Sequence, residues 1–273
     1  MKINRVLNNN SIVIKDKGVE KILIGSGIAF QKGKNDIVDP NKIEKIFVLE
    51  KENEKFKELL STLPEEHIML SEEVISYAEN TLGIQLSNHI HISLTDHLSF
   101  AIERMEKGII MKNKLLNEIR LLYKQEFEIG LWAIDLVQKR IGIHFPIDEA
   151  AYLAIHIHTA KMKSSSGHEK IAEKAQIVQN MITIISSELN MEIDKGSISY
   201  QRLVTHLDFL ISRKGSQQLD GEMFEMIKRK YDKAFHCAEK AASFVELEHN
   251  INFSESDLAY VALHLQRLIN ENS

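Results

Sequence analysis

The sequence predicts a multidomain protein: a small antiparallel β head followed by two homologous all-α helical-bundle domains. Three observations predict this. Short β-branched runs separated by turn residues fill the first 50 residues. Helical periodicity with glycine stops takes over from about residue 65. Two blocks of the helical part then recur at nearly constant spacing. A chain of 273 residues, 44% apolar and 27% charged with 3 Pro, has the length for two or three folded domains and is not a disordered or low-complexity composition.

In the head, residues 3–7, 11–15, 20–25 and 28–31 read as strands, punctuated by Asn8-Asn9-Asn10, Asp16-Lys17-Gly18 and Gly25-Ser26-Gly27. Asp39-Pro40 marks a further turn before a strand at 46–49, and residues 51–58 read as a charged connection. Residues 1–34 carry seven Lys/Arg against Asp16 and Glu20, a net +5, whereas residues 51–273 carry a net −8. A basic head therefore sits on an acidic body. So small a sheet buries a marginal core on its own, which predicts that the head, residues 1–56, dimerises.

The body reads as helix throughout. Val74, Ile75, Ala78 and Leu82 form one stripe closed by Gly83, with Ser71 to Glu73 opening it; Leu98, Ala101, Ile102 and Met105 form the next, closed by Gly108. Further helices are expected around Leu115 to Leu122, around Ile134 and Val137 up to Gly142, and over 149–162. The repeat is explicit. LTDHLSFAIER at 94–104 matches LVTHLDFLISR at 203–213 with an offset of 109, and IHFPIDEAAYLAIHIH at 143–158 matches INFSESDLAYVALHLQ at 251–266 with an offset of 108. The polar segment at 161–167 lies between the copies, giving helical domains at 57–169 and 170–273.

Several classes of chemistry find no support. One cysteine, Cys237, excludes an internal disulfide or a multi-cysteine metal site and suits a reducing cytosol. Neither a signal peptide's apolar stretch nor a membrane-length run occurs, so a cytoplasmic protein without membrane insertion is expected. No GxSxG, HExxH or phosphate-cradling GxxxxGK[ST] is present, and no catalytic residue, metal or cofactor is expected. His156 and His158 resemble a ligand pair, but two positions apart on a helix they point about 200° from each other, and Gln266 replaces the second in the repeat. His89 and His91 meet the same objection if helical. What remains is a duplicated pair: His97 with His206 near the start of an early helix, and His156 with His264 in the last. An imidazole can accept a phosphoryl group, exchanging a neutral or +1 side chain for one of roughly −2, which makes a switch at a packed interface.

With these residues assembled, the chain resembles the BglG/SacY/LicT family of bacterial transcriptional antiterminators over essentially its whole length. The opening MKINRVLNNN with IGSGIAFQKGKND is similar to that family's RNA-binding head, and the histidine blocks resemble its paired phosphotransferase-system regulation domains. The resemblance implies a homodimer that grips an mRNA hairpin and prevents a terminator from forming. It implies RNA contacts at Arg5, Asn8, Asn10, Gly25, Ser26 and Phe30, with Lys32 as a neighbouring cation where Ser26 stands in place of the family's frequent Arg or Lys. It also implies phosphorylation at His97, His156, His206 and His264 by the phosphocarrier HPr and a sugar-specific permease. By the same resemblance, first-module phosphorylation by the permease is expected to inactivate and second-module phosphorylation by HPr to activate. Two rival readings are a DNA-binding activator carrying the same helical modules and a helical metal-dependent hydrolase.

Overall fold

The computed structural model describes residues 1–48, 54–162, 167–212 and 220–271. The chain divides into two compact units, residues 1–111 with 129–165, and residues 112–128 with 166–273.

The first unit opens with a four-stranded antiparallel meander: β1 (Ile3–Asn8), β2 (Ser11–Asp16), β3 (Val19–Ile24) and β4 (Lys45–Val48), in spatial order β1-β2-β3-β4. Lys17 (φ 50°) and Gly18 (φ 87°) form the two-residue turn that places Asp16 opposite Val19. Asn8 shapes the β1–β2 turn through its side chain, whose Oδ1 accepts from the Asn10 backbone N–H at 2.9 Å. Alternation divides the sheet cleanly. Ile3, Ile12, Ile14 and Leu23 pack under the following connection with Ile28, Ala29 and Val38, while Val13, Ile22 and Ile24 pack with Leu60 and Ile68 from the helical part of the unit. The head is thus not the isolated marginal core that its length suggests. Helices complete one of its faces.

One expected strand is absent: residues 28–31 are a succession of turns. Ile28, Phe30 and Lys32 each donate their backbone N–H to the carbonyl three residues earlier. The apolar Ile28 and Ala29 read as strand residues because they are buried against the sheet, not because they belong to it. Gly25 enters this segment so close to the chain that a Cβ there would lie 1.7 Å from the Lys42 carbonyl oxygen.

Six helices follow: α1 (Glu54–Thr62), α2 (Glu65–Leu82), α3 (His89–Glu106), α4 (Leu116–Leu122), α5 (Lys124–Ile141) and α6 (Ile147–Lys161). Residues 54–58 of the expected charged connection are already helical; residues 49–53, and 163–166 of the expected boundary, lie outside the described residues. The α2 helix starts six residues before the expected Ser71, because Pro64 followed by Glu65 and Glu66 is itself a helix start with its acids on the positive end of the dipole. It stops at Gly83, left-handed at φ 67°, as expected. His97 lies in the middle of α3 rather than near its start, since the helix begins at His89.

The second unit holds residues of α4 together with α7 (Gly167–Leu189), α8 (Ile198–Ser212), α9 (Gly221–Lys230), α10 (Asp232–His249) and α11 (Glu255–Glu271). Its core is an aliphatic cluster around Val178, Ile185, Leu203, Leu207, Val245 and Leu265. Fully buried Tyr200 joins it, donating its hydroxyl to the buried Glu118 carboxylate at 2.9 Å. Cys237 is buried and its thiol is pushed up to about 11 by that burial, so it is inert at neutral pH. Among the described residues no helix is long and apolar enough to cross a membrane.

In the first unit α5 meets α6 backbone to backbone: a Cβ on Gly130 would lie 2.3 Å from the Ala150 carbonyl oxygen, next to Glu149. Gly130→Ala is therefore expected to force these helices apart and destabilise the unit by about 1–3 kcal/mol. The single tryptophan, Trp132, stacked on Tyr77 at 3.7 Å, reports it. The urea midpoint followed by Trp fluorescence should fall; an unchanged midpoint would mean that the contact relaxes without cost.

Candidate functional site

Each pair of repeated histidines is brought together by an early helix packed on the last helix of its module. In the first, His97 of α3 and His156 of α6 have ring centroids 4.7 Å apart, with the Tyr152 ring 5.8 Å from His97. Both histidines are half-buried. In the second, His206 of α8 and His264 of α11 are closer, at 3.9 Å, with His206 exposed and His264 half-buried. All four expected phosphoacceptor positions thus fall into two ring pairs of the same construction.

The surroundings of the two pairs differ for a reason visible in the chain. At the start of α6, Pro146 occupies the place of Ser254 before α11. Ser254 and Asp257 form a reciprocal cap, Asp257 accepting from the Ser254 N–H at 3.0 Å and hydroxyl at 2.7 Å while its own N–H donates back to the serine oxygen at 3.3 Å. Proline has neither hydroxyl nor N–H, so the equivalent acid of the first module, Glu149, does not cap. Instead its fully buried carboxylate pairs with buried Arg104 of α3, and its other oxygen faces His97 Nε2 at 3.4 Å. The Glu149 carboxylate thus lies beside His97, while Asp257 caps α11 through Ser254. The acid shared by the repeat and the arginine at the end of each first block were the signals for this arrangement. The equivalent arginine, Arg213, lies outside the described residues.

His264 sits in a cationic setting. Burial, followed by the nearby charges of His206, Arg267 and Arg202, pushes it down to about 4. At neutral pH it is an uncharged imidazole with a free lone pair, the form able to attack phosphorus.

In the head, Asn8, Asn10, Gly25 and Ser26 line one cleft of about 300 Å³ together with Lys45 and with Glu65, Met69, Glu72 and Glu73 of α2. Asn8 Nδ2 donates to the Leu60 carbonyl at 3.0 Å, Asn10 Nδ2 to the Met69 sulfur at 3.0 Å, and the Ser26 N–H to the Glu44 carboxylate at 3.0 Å. Arg5 and Phe30 do not line this cleft; both are exposed, Phe30 by 58%, so its ring is not a core residue. At the back of the cleft Glu72 bridges the sheet to the helices, 2.8 Å from Lys45 Nζ of β4 and 2.5 Å from His91 Nδ1 of α3. Burial alone would raise this carboxyl, but the His91 hydrogen bond and the His91 and Lys45 charges hold it below the ordinary range. Sequence reasoning missed Lys45, Glu72 and His91, which sit on three separate elements.

Because α3 begins at His89 and α6 includes both His156 and His158, the spacing objection to a two-histidine metal site applies to both pairs. Among the described residues no group of three or more His, Cys, Asp or Glu is placed to hold a metal ion.

The lowered His264 sets a pH dependence. Its unfolded form gains a proton below the ordinary value of 6.5, while its folded form resists until about 4. Stability is therefore lost as pH falls through that window. In His264→Gln this contribution is removed, so unfolding midpoints between pH 7 and 4.5 should fall less steeply than in the wild type. Parallel slopes for the two proteins would contradict the assignment.

Comparison with known proteins finds relatives along nearly the whole chain. Residues 1–56 match the CAT RNA binding domain, and residues 72–160 and 179–268 each match the PRD domain. The chain is 38% identical to the transcription antiterminator LicT of Bacillus subtilis over 99% of its own length and 100% of that protein's. It is 34% identical to a beta-glucoside operon antiterminator of Dickeya chrysanthemi, covering 99% of this chain and 98% of the relative. A crystal structure of GlcT CAT-PRDI superposes with a TM-score of 0.54 and 39% identity, covering 58% of this chain and 96% of that one. With an RNA-binding head and two histidine-bearing helical modules matched along its length, the chain belongs to the BglG/SacY/LicT family of RNA-binding transcriptional antiterminators.

Proposed function

We propose that this protein acts as a homodimer on an mRNA hairpin upstream of a sugar-utilisation operon, and that phosphorylation of its paired histidines governs that binding. The observation that carries the reading is the recurrence of the ring pair, His97 with His156 and His206 with His264, in both modules. A histidine retained for core packing alone would have no reason to be duplicated beside a second histidine. The donors in this reading are HPr and a sugar-specific permease. The domains it assumes are 1–56, 57–169 and 170–273.

Arg5, Asn8, Asn10, Gly25, Ser26 and Phe30 are the proposed RNA contacts: Arg and Asn for phosphates and base edges, Gly25 for close backbone approach, Phe30 for stacking on an unpaired base. The exposed Phe30 ring supports its part, and the exposed Ile37 and Ile46 supply apolar surface on the head for the dimer contact. The α2 carboxylates across the cleft from Asn8 and Asn10 repel a phosphate backbone, which supports control of the head by the module that carries them. A DNA-binding activator would require a helix-turn-helix, and a four-stranded sheet stands in that place.

For RNA, full-length protein should bind an imperfect hairpin with an affinity that falls with salt by about 0.7–0.9 log units per log unit for each phosphate neutralised. Asn10→Ala should weaken specific binding by about 1–3 kcal/mol, the usual cost of a lost bidentate base contact. Equal affinity for the hairpin and a scrambled strand would contradict the reading.

For control, His97→Asp and His156→Asp should reduce antitermination while Ala at either position makes it independent of inducer. Two like charges about 8 Å apart across a dimer axis, at an effective dielectric near 20, repel by roughly 2 kcal/mol, which shifts a balanced equilibrium over tenfold. Asp supplies one charge of a phosphate's two, so its effect is partial. His206→Asp and His264→Asp should act in the opposite direction. A reporter with the hairpin ahead of a terminator, read with and without inducer, decides; wild-type regulation in all four alanine variants would refute the histidine switch.

A further inference from the structure

We propose that Arg202 and Arg267 are the phosphate-holding residues of the second module, receiving the phosphoryl group carried by His206 or His264. This rests on the histidine-phosphorylation reading above and deepens it for one of the two ring pairs.

Helix periodicity places each arginine one turn from a ring. Arg202 precedes His206 by four residues on α8, and Arg267 follows His264 by three on α11, so each shares a helix face with its histidine. The two helices run antiparallel, because Ser199 at the start of α8 donates to Glu271 at the end of α11 at 2.6 Å. The arginines therefore flank the stacked rings from the same end. Both are exposed, and neither is in an ion pair among the described residues, so both guanidinium groups can turn toward a new anion. Their charges already reach the site, since they contribute to the lowering of His264.

The first module lacks this device. The repeat offsets put Ser93 at the place of Arg202 and Thr159 at that of Arg267. Thr159 is buried with its hydroxyl on the Ile155 carbonyl at 2.8 Å. The nearby arginine, Arg104, is engaged by Glu149, whose carboxylate faces His97. A dianion on His97 Nε2 would meet a negative charge, whereas one on the second pair meets two positive ones. The two modules differ in how strongly they hold the same group.

The chemistry balances without further reagents when the donor is a protein phosphohistidine protonated on its second ring nitrogen. A lone pair of the neutral acceptor imidazole forms the new N–P bond. The donor N–P bond breaks, and its electron pair returns to the donor ring. The donor leaves as neutral imidazole and the acceptor becomes the phosphorylated imidazolium, with no proton moved. Guanidinium groups on the phosphoryl oxygens then favour the product through charge-assisted, bidentate hydrogen bonds.

The test equilibrates full-length protein with phosphorylated HPr and measures phosphoryl occupancy of each module by peptide-resolved mass spectrometry at neutral pH. In the double variant Arg202→Met, Arg267→Met, the transfer equilibrium to the second module should fall about tenfold, with the first module unchanged. Arg→Lys at both positions should restore part of it. The same Met variant should raise the His264 titration midpoint seen by NMR, a change that a merely structural role would not produce, and far-ultraviolet circular dichroism verifies folding. Unchanged second-module occupancy in a folded Met variant overturns the proposal while leaving histidine phosphorylation intact. A wild type that takes phosphoryl on none of the four histidines, from HPr or from phosphoramidate, overturns the underlying reading and this proposal with it.

Discussion

The antiparallel packing of an early helix against the last helix of each module is the constraint on which the rest depends. It brings two imidazoles within 3.9–4.7 Å, a separation at which two full positive charges repel strongly. In the second pair burial, followed by the nearby charges of His206, Arg267 and Arg202, holds His264 in its neutral form. A site that resists protonation keeps a nucleophilic nitrogen at neutral pH. Any added phosphoryl group then changes the charge at the seam between two helices whose packing builds the module core.

One difference between the modules at that seam is proline for serine ahead of the last helix. Ser254 lets Asp257 cap α11, whereas Pro146 leaves Glu149 to bury its charge against Arg104 and His97. The buried pair ties α3 to α6 at the point where the backbones of α5 and α6 touch through Gly130. A phosphoryl group at His97 would place a like charge beside this buried pair. The same module reaches the head through Glu72, whose carboxylate joins β4 to α3 by way of Lys45 and His91. A continuous set of polar contacts within one compact unit thus connects the sheet to the helix that bears His97.

Much of this was legible in the chain. Four strands followed from β-branched runs and the β2–β3 turn from Asp16-Lys17-Gly18, and the helical stops at Gly83, Gly108 and Gly142 all carry positive φ. The histidine pairs were legible because repetition at a constant offset separates a duplicated function from a solitary core residue. Residues 28–31 misled because burial and strand pairing select the same apolar side chains. The partners of Asn10 and Lys45 were not legible: Met69 and Glu72 lie 59 and 27 residues away on another element, and no local pattern announces a contact over such distances. Glu149 left a faint signal, an acid at equivalent places in both copies. Its role depends on what proline prevents, which only the folded geometry displays.

Hairpin affinity before and after phosphorylation of the full-length protein decides whether phosphoryl groups on the histidine pairs govern the RNA-binding head. The wild type and a variant with alanine at His97, His156, His206 and His264 are compared at one salt concentration, with phosphohistidine quantified in each sample. Affinity should change in the wild type and stay the same in the variant. Unaltered affinity in wild-type protein shown to carry phosphohistidine, or an equal change in the variant, would contradict it.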